Sequence, residues 1–474
     1  MRYDQYPKLT TESTMNAPPL TEAPTRTRWN ILGLLLLISI VTYIDRVNIS
    51  VTARHMMPAL GLTDLQMGQI FSAFVFGYAI FQIPGGWLGD RWGARRVLTC
   101  AVLWWSIFTA LTAVAPALSI ANLIGIMGSL MLVRFLIGVG EAAALPNFNR
   151  AVANWHPPHE RGRGIGITIG GIGIGSALTP PVTAWIMVNY GWQTAFYAAG
   201  ALGIAIALLW YWYATDYPRH HRHVNEAEAM LIEGAIDSQD HSSPLIRSSP
   251  PSTQPDTGKT LRVPWSSILR TPTVWWLIFS YTCLGYVAYV YMSWFYLYLV
   301  NVRGFDVLRG AFFASAPFLA MAVFCPLGGW VTDTVSQARG LNIGRTRVGA
   351  TGMILASLSI VIGANIASPF LAIAMLSLGA GWLYFTVGAF WAAATDLSKT
   401  HAGTLSGMMN TGANLGGTIS PTLTPWLAEQ FGWTVALGTA ALLALVGGIL
   451  WFLIRPADGL RHQTREQDEI RQHT

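Results

Sequence analysis

The sequence predicts an all-α integral membrane protein with twelve transmembrane helices in two six-helix, pseudo-symmetric halves. Three observations predict it. The 474-residue chain is 52% hydrophobic and only 11% charged, with a mean hydropathy of +0.42. Soluble domains carry about 25% charged residues. Apolar runs recur at spanning length, which is about 20 residues of helix. The second half of the chain also repeats the first. The 20 Trp and 47 Gly suit interfacial aromatic belts and close helix packing.

In order, the first six spans are 30–51, 66–88, 96–116, 122–154, 162–188 and 192–214. The second six are 272–300, 309–332, 346–367, 369–395, 402–428 and 433–455. Span four is long, and Pro146 inside it predicts a bend. Residues 1–28 are polar, with Pro and Thr, and read as a disordered cytoplasmic N-terminus. No cleavage site follows a short apolar core, so no signal peptide is expected. Residues 29–215 and 271–456 are the two bundles, and 457–474 a cytoplasmic tail.

Residues 216–270 are the one long polar interruption and read as a cytoplasmic linker. They hold Arg219-His220-His221-Arg222-His223, a Glu-rich helical patch near 226–233, and a Ser/Pro stretch over 242–252. The His run could take a metal. The weightier reading is a solvated basic patch at lipid head groups.

Loop charge sets the orientation. Arg91, Arg95 and Arg96 follow span two, Arg161 and Arg163 span four, Arg339, Arg345 and Arg347 span eight, and Lys399 span ten. The alternate loops are nearly bare, so both termini are expected in the cytoplasm. For the same reason the formal charge of +6 reports topology and no nucleic-acid partner. Cys100, Cys283 and Cys325 lie in apolar runs without metal or redox spacing. No metal site, cofactor or catalytic cluster is expected, so the chain is not read as an enzyme. A sensor would need a larger signalling domain than 216–270 supplies.

The repeat is explicit. Gly166, Gly171, Gly175, Pro180, Trp185 and Trp192 recur as Gly407, Gly412, Gly416, Pro421, Trp426 and Trp433, at a constant offset of 241 residues. Six-span halves in the same orientation place a substrate site between them near the midplane.

Four charged residues lie well inside spans of the first half: Asp45 and Arg46 in span one, Arg134 and Glu141 in span four. Such residues are costly in hydrocarbon and mark a lumen, a partner or a transport path. Arg134 and Glu141, seven apart, share one helix face. The position matching Glu141 in the second half is Trp382, so ion handling is expected in the first half alone. The Gly170–Gly175 run lacks both a preceding strand and a Lys-Ser/Thr, and is read as helix packing rather than a phosphate loop.

Gly86-Trp87-Leu88-Gly89-Asp90-Arg91-Trp92-Gly93-Ala94-Arg95-Arg96, after span two, resembles the signature loop of the major facilitator superfamily. That resemblance covers about 28–455 apart from the linker and implies its twelve-helix rocker fold. Tyr43-x-Asp45-Arg46-x-Asn48-x-Ser50 and Arg134-Phe-x-x-Gly-x-Gly-Glu141-x-x-x-x-Pro146-x-x-x-Arg150, followed by Glu160-Arg161, look like the anion:cation symporter family. Leu145 stands where that family usually has Phe.

The resemblance implies a monomeric carrier importing a small organic anion, a sugar acid first, across the bacterial inner membrane with a coupling proton. Alternatives are an aromatic or dicarboxylic acid, and sodium coupling or exchange. By the resemblance, Asp45 and Glu141 are the protonation pair and Arg134 the charge partner of Glu141. Arg46 contacts the substrate, with support from Tyr43, Tyr78, Asn410, Asn414 and an apolar wall of Trp391 and Phe385. Gly86, Asp90, Arg91, Gly93, Arg95, Arg96, Glu160 and Arg161 form a cytoplasmic gate. In that gate Asp90 is expected to latch onto the start of span eleven, around 403–406, by accepting backbone N–H bonds.

Overall fold

The computed structural model describes residues 23–240, 265–398 and 402–458. The N-terminal stretch before residue 23, the Ser/Pro stretch, Lys399 and most of the C-terminal tail lie outside the described residues.

Among the described residues, eleven helices are long and apolar enough to cross a membrane: Thr27–Leu60, Asp64–Trp92, Ala94–Thr112, Ser119–Trp155, Glu160–Tyr190, Trp192–Tyr213, Pro272–Asn301, Val307–Arg339, Leu341–Asn365, Pro369–Leu397 and Trp433–Leu453. The expected eleventh span is the long helix Ala402–Phe431, too rich in Gly, Thr and Asn to meet the same measure of apolarity. Counting it, the spans are numbered one to twelve below.

The packing repeats as the sequence does. In the first half spans one and five, two and four, and three and six lie together. In the second half the pairs are seven and eleven, eight and ten, and nine and twelve. Glycine makes the closest approaches possible: a Cβ on Gly285 would stand 2.1 Å from the Ala413 carbonyl oxygen, and one on Gly328 1.8 Å from that of Phe385.

Span four does break, but upstream of Pro146. Its helix ends at Glu141 and resumes at Ala144. Pro146 has no N–H for the carbonyl one turn before it, so the ladder opens at that turn. Asn147 closes the gap by donating Nδ2 to the Gly85 and Ala143 carbonyls at 3.1 and 2.8 Å. Span ten breaks at the equivalent level, between Phe385 and Val387.

The halves touch through spans two and eleven, one and seven, and five and eight. At the end away from Asp90 they interlock. A Cβ on Gly68 would meet the Pro421 carbonyl oxygen at 2.2 Å, and Ser72 and Thr422 hydroxyls lie 2.8 Å apart. Ser315 donates to the Ala177 carbonyl. Toward the Asp90 end they part. Gly166, Gly403 and Gly407 have open space where a Cβ would stand, and Trp87 and Trp330 are exposed.

The first stretch of the expected linker is folded onto the first half. Glu228, on helix Glu226–Asp240, is fully buried and caps span one. It accepts from the Thr27 and Arg28 backbone N–H groups at 3.1 and 3.2 Å and from Arg28 Nη1 at 3.0 Å. Arg28 also reaches Glu160 at 2.9 Å. His221 is buried against Trp155 and Tyr213 rather than solvated, and Arg219 pairs with Glu226 and Glu233.

Candidate functional site

Span one delivers Tyr43, Asp45 and Arg46 to its middle, and span four delivers Glu141 at the break. Arg46 crosses between them: Nη2 and Nε donate to Glu141 Oε2 at 2.8 and 3.2 Å. Both side chains are buried. The guanidinium also lies 4.7 Å from the Tyr43 ring centre, 5.0 Å from Phe74 and 4.7 Å from Tyr78. Cation–π contacts of this kind strengthen when desolvated. Nη1 donates to the Tyr43 hydroxyl at 3.4 Å. Arg46 is therefore held in an aromatic cage with one carboxylate. Glu141 Oε1, also buried, has no hydrogen bond within the protein.

Arg134, the expected charge partner, does act on Glu141 through its charge, but the hydrogen bonds to that carboxylate come from Arg46. Glu141 is bonded to Arg46, whereas Arg134 lies over Phe74 at 4.8 Å and donates Nη1 to the Asp45 backbone carbonyl at 3.4 Å. Two helical turns separate Arg134 from Glu141, roughly 10 Å of rise. Arg46 comes from a neighbouring span at the level of Glu141, so it reaches the carboxylate first. Asp45 is fully buried, with the Trp105 indole and the Thr109 hydroxyl of span three set against its carboxylate.

A small cavity opens beside this pair, lined by Ser39, Thr42, Tyr43, Arg46, Tyr78, Glu141, Ala144, Leu145, Phe148 and Ile172. Tyr289 of span seven approaches Arg46 from the other half, its ring packed on Gly417. Sequence reasoning did not single it out. Tyr281, Gly285 and Tyr289 stand at four-residue spacing, a one-face pattern that was legible.

Trp391, Asn410 and Asn414 do not line the cavity. Trp391 donates its indole N–H to the Tyr281 hydroxyl at 3.1 Å, and Phe385 packs on Trp382. Asn410 bridges the halves instead, donating to Gln82 Oε1 at 2.9 Å, and Asn414 donates to the Asn410 carbonyl at 3.0 Å.

The expected loop after span two is mostly helix, span two running to Trp92 and span three starting at Ala94; Asp90, in the last turn of span two, is largely exposed and pairs with Arg150. Among the described residues it makes no hydrogen bond to the start of span eleven, because the halves have parted there. Gly93 turns with φ +82°, and a Cβ on it would strike the Asp216 carboxylate at 2.5 Å. That carboxylate caps span three, accepting from the Arg95 N–H at 2.8 Å. The Arg95 guanidinium donates to the Tyr211 carbonyl, Arg91 covers Trp87, Gly86 faces Pro146, and Arg96 is exposed. Arg161 donates to the Ala153 and His156 carbonyls, closing the end of span four, while Glu160 holds Arg28.

Just beyond span four, His156 is fully buried edge-on to Trp29. Burial, with some help from Arg28, pushes its imidazole down from 6.5 to about 4. The unfolded chain takes up this proton between those two values and the folded chain does not. Stability therefore falls as pH drops through that window, by at most about 1.4 kcal/mol per pH unit. His156→Phe keeps the ring contact and is expected to flatten the fall in melting temperature between pH 6.5 and 4; an unchanged pH profile contradicts the assignment.

The family model described as Major Facilitator Superfamily matches residues 35–421 and 340–472. The chain is 33% identical over 448 residues to the probable sulfoacetate transporter SauU of Cupriavidus necator, covering 94% of this chain and 98% of that one. It is 32% identical to the probable galactarate/D-glucarate transporter GudP of Bacillus subtilis, with 94% and 95% covered. It is 28% identical to the D-galactonate transporter of Escherichia coli, with 93% and 98% covered. Among solved structures, an inward-facing, unoccupied bacterial homologue of the human lysosomal transporter Spinster superposes with TM-score 0.69 at 19% identity, covering 91% of this chain and 98% of that one. The D-xylose-proton symporter gives TM-score 0.69 at 14% identity, covering 90% and 98%. At those identities the structural likeness concerns the fold.

Proposed function

Because the chain belongs to the Major Facilitator Superfamily, and is thus a multi-pass membrane transporter and not an enzyme, we propose that it imports a sugar acid together with a proton. The observation that carries this reading is the caged Arg46. A buried guanidinium already bonded to a protonatable carboxylate offers an anion a site only if that carboxylate gives up its hold. Protonating Glu141 removes its charge and frees the Arg46 fork for the substrate carboxylate, which it can bind bidentately. Hydroxyls of Tyr43, Tyr78 and Tyr289 stand around the fork for the substrate's own hydroxyls. Relatives named for galactarate, glucarate, galactonate and hexuronate support a polyhydroxylated acid.

In this reading the Asp90 end is cytoplasmic, the membrane is the bacterial plasma membrane, and the parted end releases substrate inward. Interlocking at the Gly68–Pro421 end closes the outer side. Asp45 and Glu141 carry the proton and Arg46 the anion. Arg134 ties the two helices that hold the acids, and Asn410 with Gln82 forms part of the sliding seam.

The test is uptake into proteoliposomes. Hexuronate, galactonate and glucarate should accumulate under an inward proton gradient and not under a sodium gradient at equal pH. Accumulation driven by sodium alone contradicts the proton, and indifference to every sugar acid contradicts the substrate class.

A further inference from the structure

The cavity offers its substrate a single cation, Arg46, and what faces that cation decides how much charge the substrate brings. We propose, resting on the sugar-acid reading above, that three tyrosine hydroxyls of the second half receive the far end of the substrate. Through Tyr281, Tyr289 and Tyr384 the carrier selects acids with one carboxylate over acids with two.

The cavity beside Arg46 is lined by the first half alone. It takes the carboxylate end of the acid, so the rest of the carbon chain has to extend toward the second half. Three tyrosines meet it there. Tyr281 and Tyr289 lie about two turns apart on one face of span seven. Tyr384 lies in the last turn before the break of span ten. It stands among Tyr281, Tyr289 and Cys325 and, across the interface, Tyr43. Tyr281 and Tyr289 both stand near Tyr43 and Tyr78, which line the cavity. The second half therefore turns a wall of phenols toward the Arg46 fork.

That wall has hydrogen bonds to give. Trp391 donates its indole N–H to the Tyr281 hydroxyl, which leaves the Tyr281 O–H free to donate in turn. Among the described residues, no protein group is bonded to the Tyr289 or Tyr384 hydroxyl. A phenol hydroxyl donates and accepts, and so does a sugar hydroxyl, whereas an ionised carboxylate only accepts.

Charge is absent from this side. The second half has no Asp, Glu, Lys, Arg or His within 272–302, 310–332, 348–395, 402–428 or 433–454. In the first half Arg134 is held over Phe74 and at the Asp45 carbonyl, and it does not line the cavity. A second carboxylate would be desolvated against neutral phenols with no counter-ion. A buried charge without a partner is costly, whereas a terminal hydroxyl there has its hydrogen bonds met. Of the acids for which relatives are named, galactonate and hexuronate fit this wall better than galactarate and glucarate.

Counterflow in proteoliposomes needs no ion gradient, and competition against a radiolabelled acid reads the selectivity. At neutral pH, galactonate and gluconate should compete at concentrations at least about tenfold below galactarate and glucarate. Methyl esterification of one glucarate carboxylate should recover most of that loss, since the shape stays and the charge goes. The wild type should also prefer gluconate to its deoxy analogue lacking the terminal hydroxyl, by about three- to tenfold. Tyr289→Phe and Tyr384→Phe should each lose part of that preference, and the double variant all of it. Equal competition by acids of one and two carboxylates overturns the charge selection. A loss that the ester does not recover assigns the discrimination to size and overturns it as well. A preference for gluconate kept in the double variant overturns the role of the tyrosines. Exchange of none of these acids by the wild type defeats the sugar-acid reading itself, and this selectivity with it.

Discussion

Arg46→Lys is expected to weaken the apparent affinity for the transported anion about 30- to 100-fold, a loss of about 2–3 kcal/mol. Lysine keeps the charge and loses the rest. It cannot present two parallel N–H groups to one carboxylate, and a compact ammonium stacks poorly among Tyr43, Phe74 and Tyr78. Concentration dependence of initial uptake in proteoliposomes reads the effect. A variant matched to wild type in size-exclusion profile but not in affinity identifies Arg46 as the anion's contact; equal affinities contradict it.

The second large effect lies far from the cavity. Glu228→Ala removes a fully buried carboxylate that caps span one and pairs with Arg28. Arg28 keeps Glu160, but the Thr27 and Arg28 backbone N–H groups lose their buried acceptor, which costs about 1–3 kcal/mol. Thermal unfolding in detergent should show a drop of several degrees, with Glu228→Gln losing less because its amide oxygen still accepts. An unchanged melting temperature contradicts the clamp. The site's own geometry should survive wherever the protein folds, since Glu228 touches neither Arg46 nor Glu141.

Much of this architecture was legible in sequence, for physical reasons. A bilayer demands long apolar helices, so spans announce themselves by length. The 241-residue repeat of Gly166 and Gly407 or Pro180 and Pro421 announces two like halves. The four intramembrane charges stood out because each is costly there. Which of them hydrogen-bond to one another was not legible. Spacing along span four joined Arg134 to Glu141 as charge partners, and they do act on each other; that Arg46 makes the hydrogen bonds depends on the level at which span one crosses span four, and that level is set by packing. Asn410 and Asn414 show the same limit: helical periodicity places them on one face, but which neighbour that face meets is a tertiary fact. Glu228 stood in the Glu-rich helical patch of the expected linker. Its burial depends on an end of span one, Thr27–Arg28, some 200 residues away, whose bare N–H groups require a partner. Span eleven, polar by composition, passes as a span because its Gly and Thr residues face other helices closely, as Gly416 does the Thr282 carbonyl.

The central claim is that Glu141 holds Arg46 until it is protonated, and releases it to the anion. Glu141→Gln tests this most directly, since it imitates the protonated acid. In proteoliposomes loaded with sugar acid, the account predicts that this variant exchanges internal for external substrate at near the wild-type rate while failing to concentrate it under an inward proton gradient. Gradient-driven accumulation equal to that of the wild type would contradict the account.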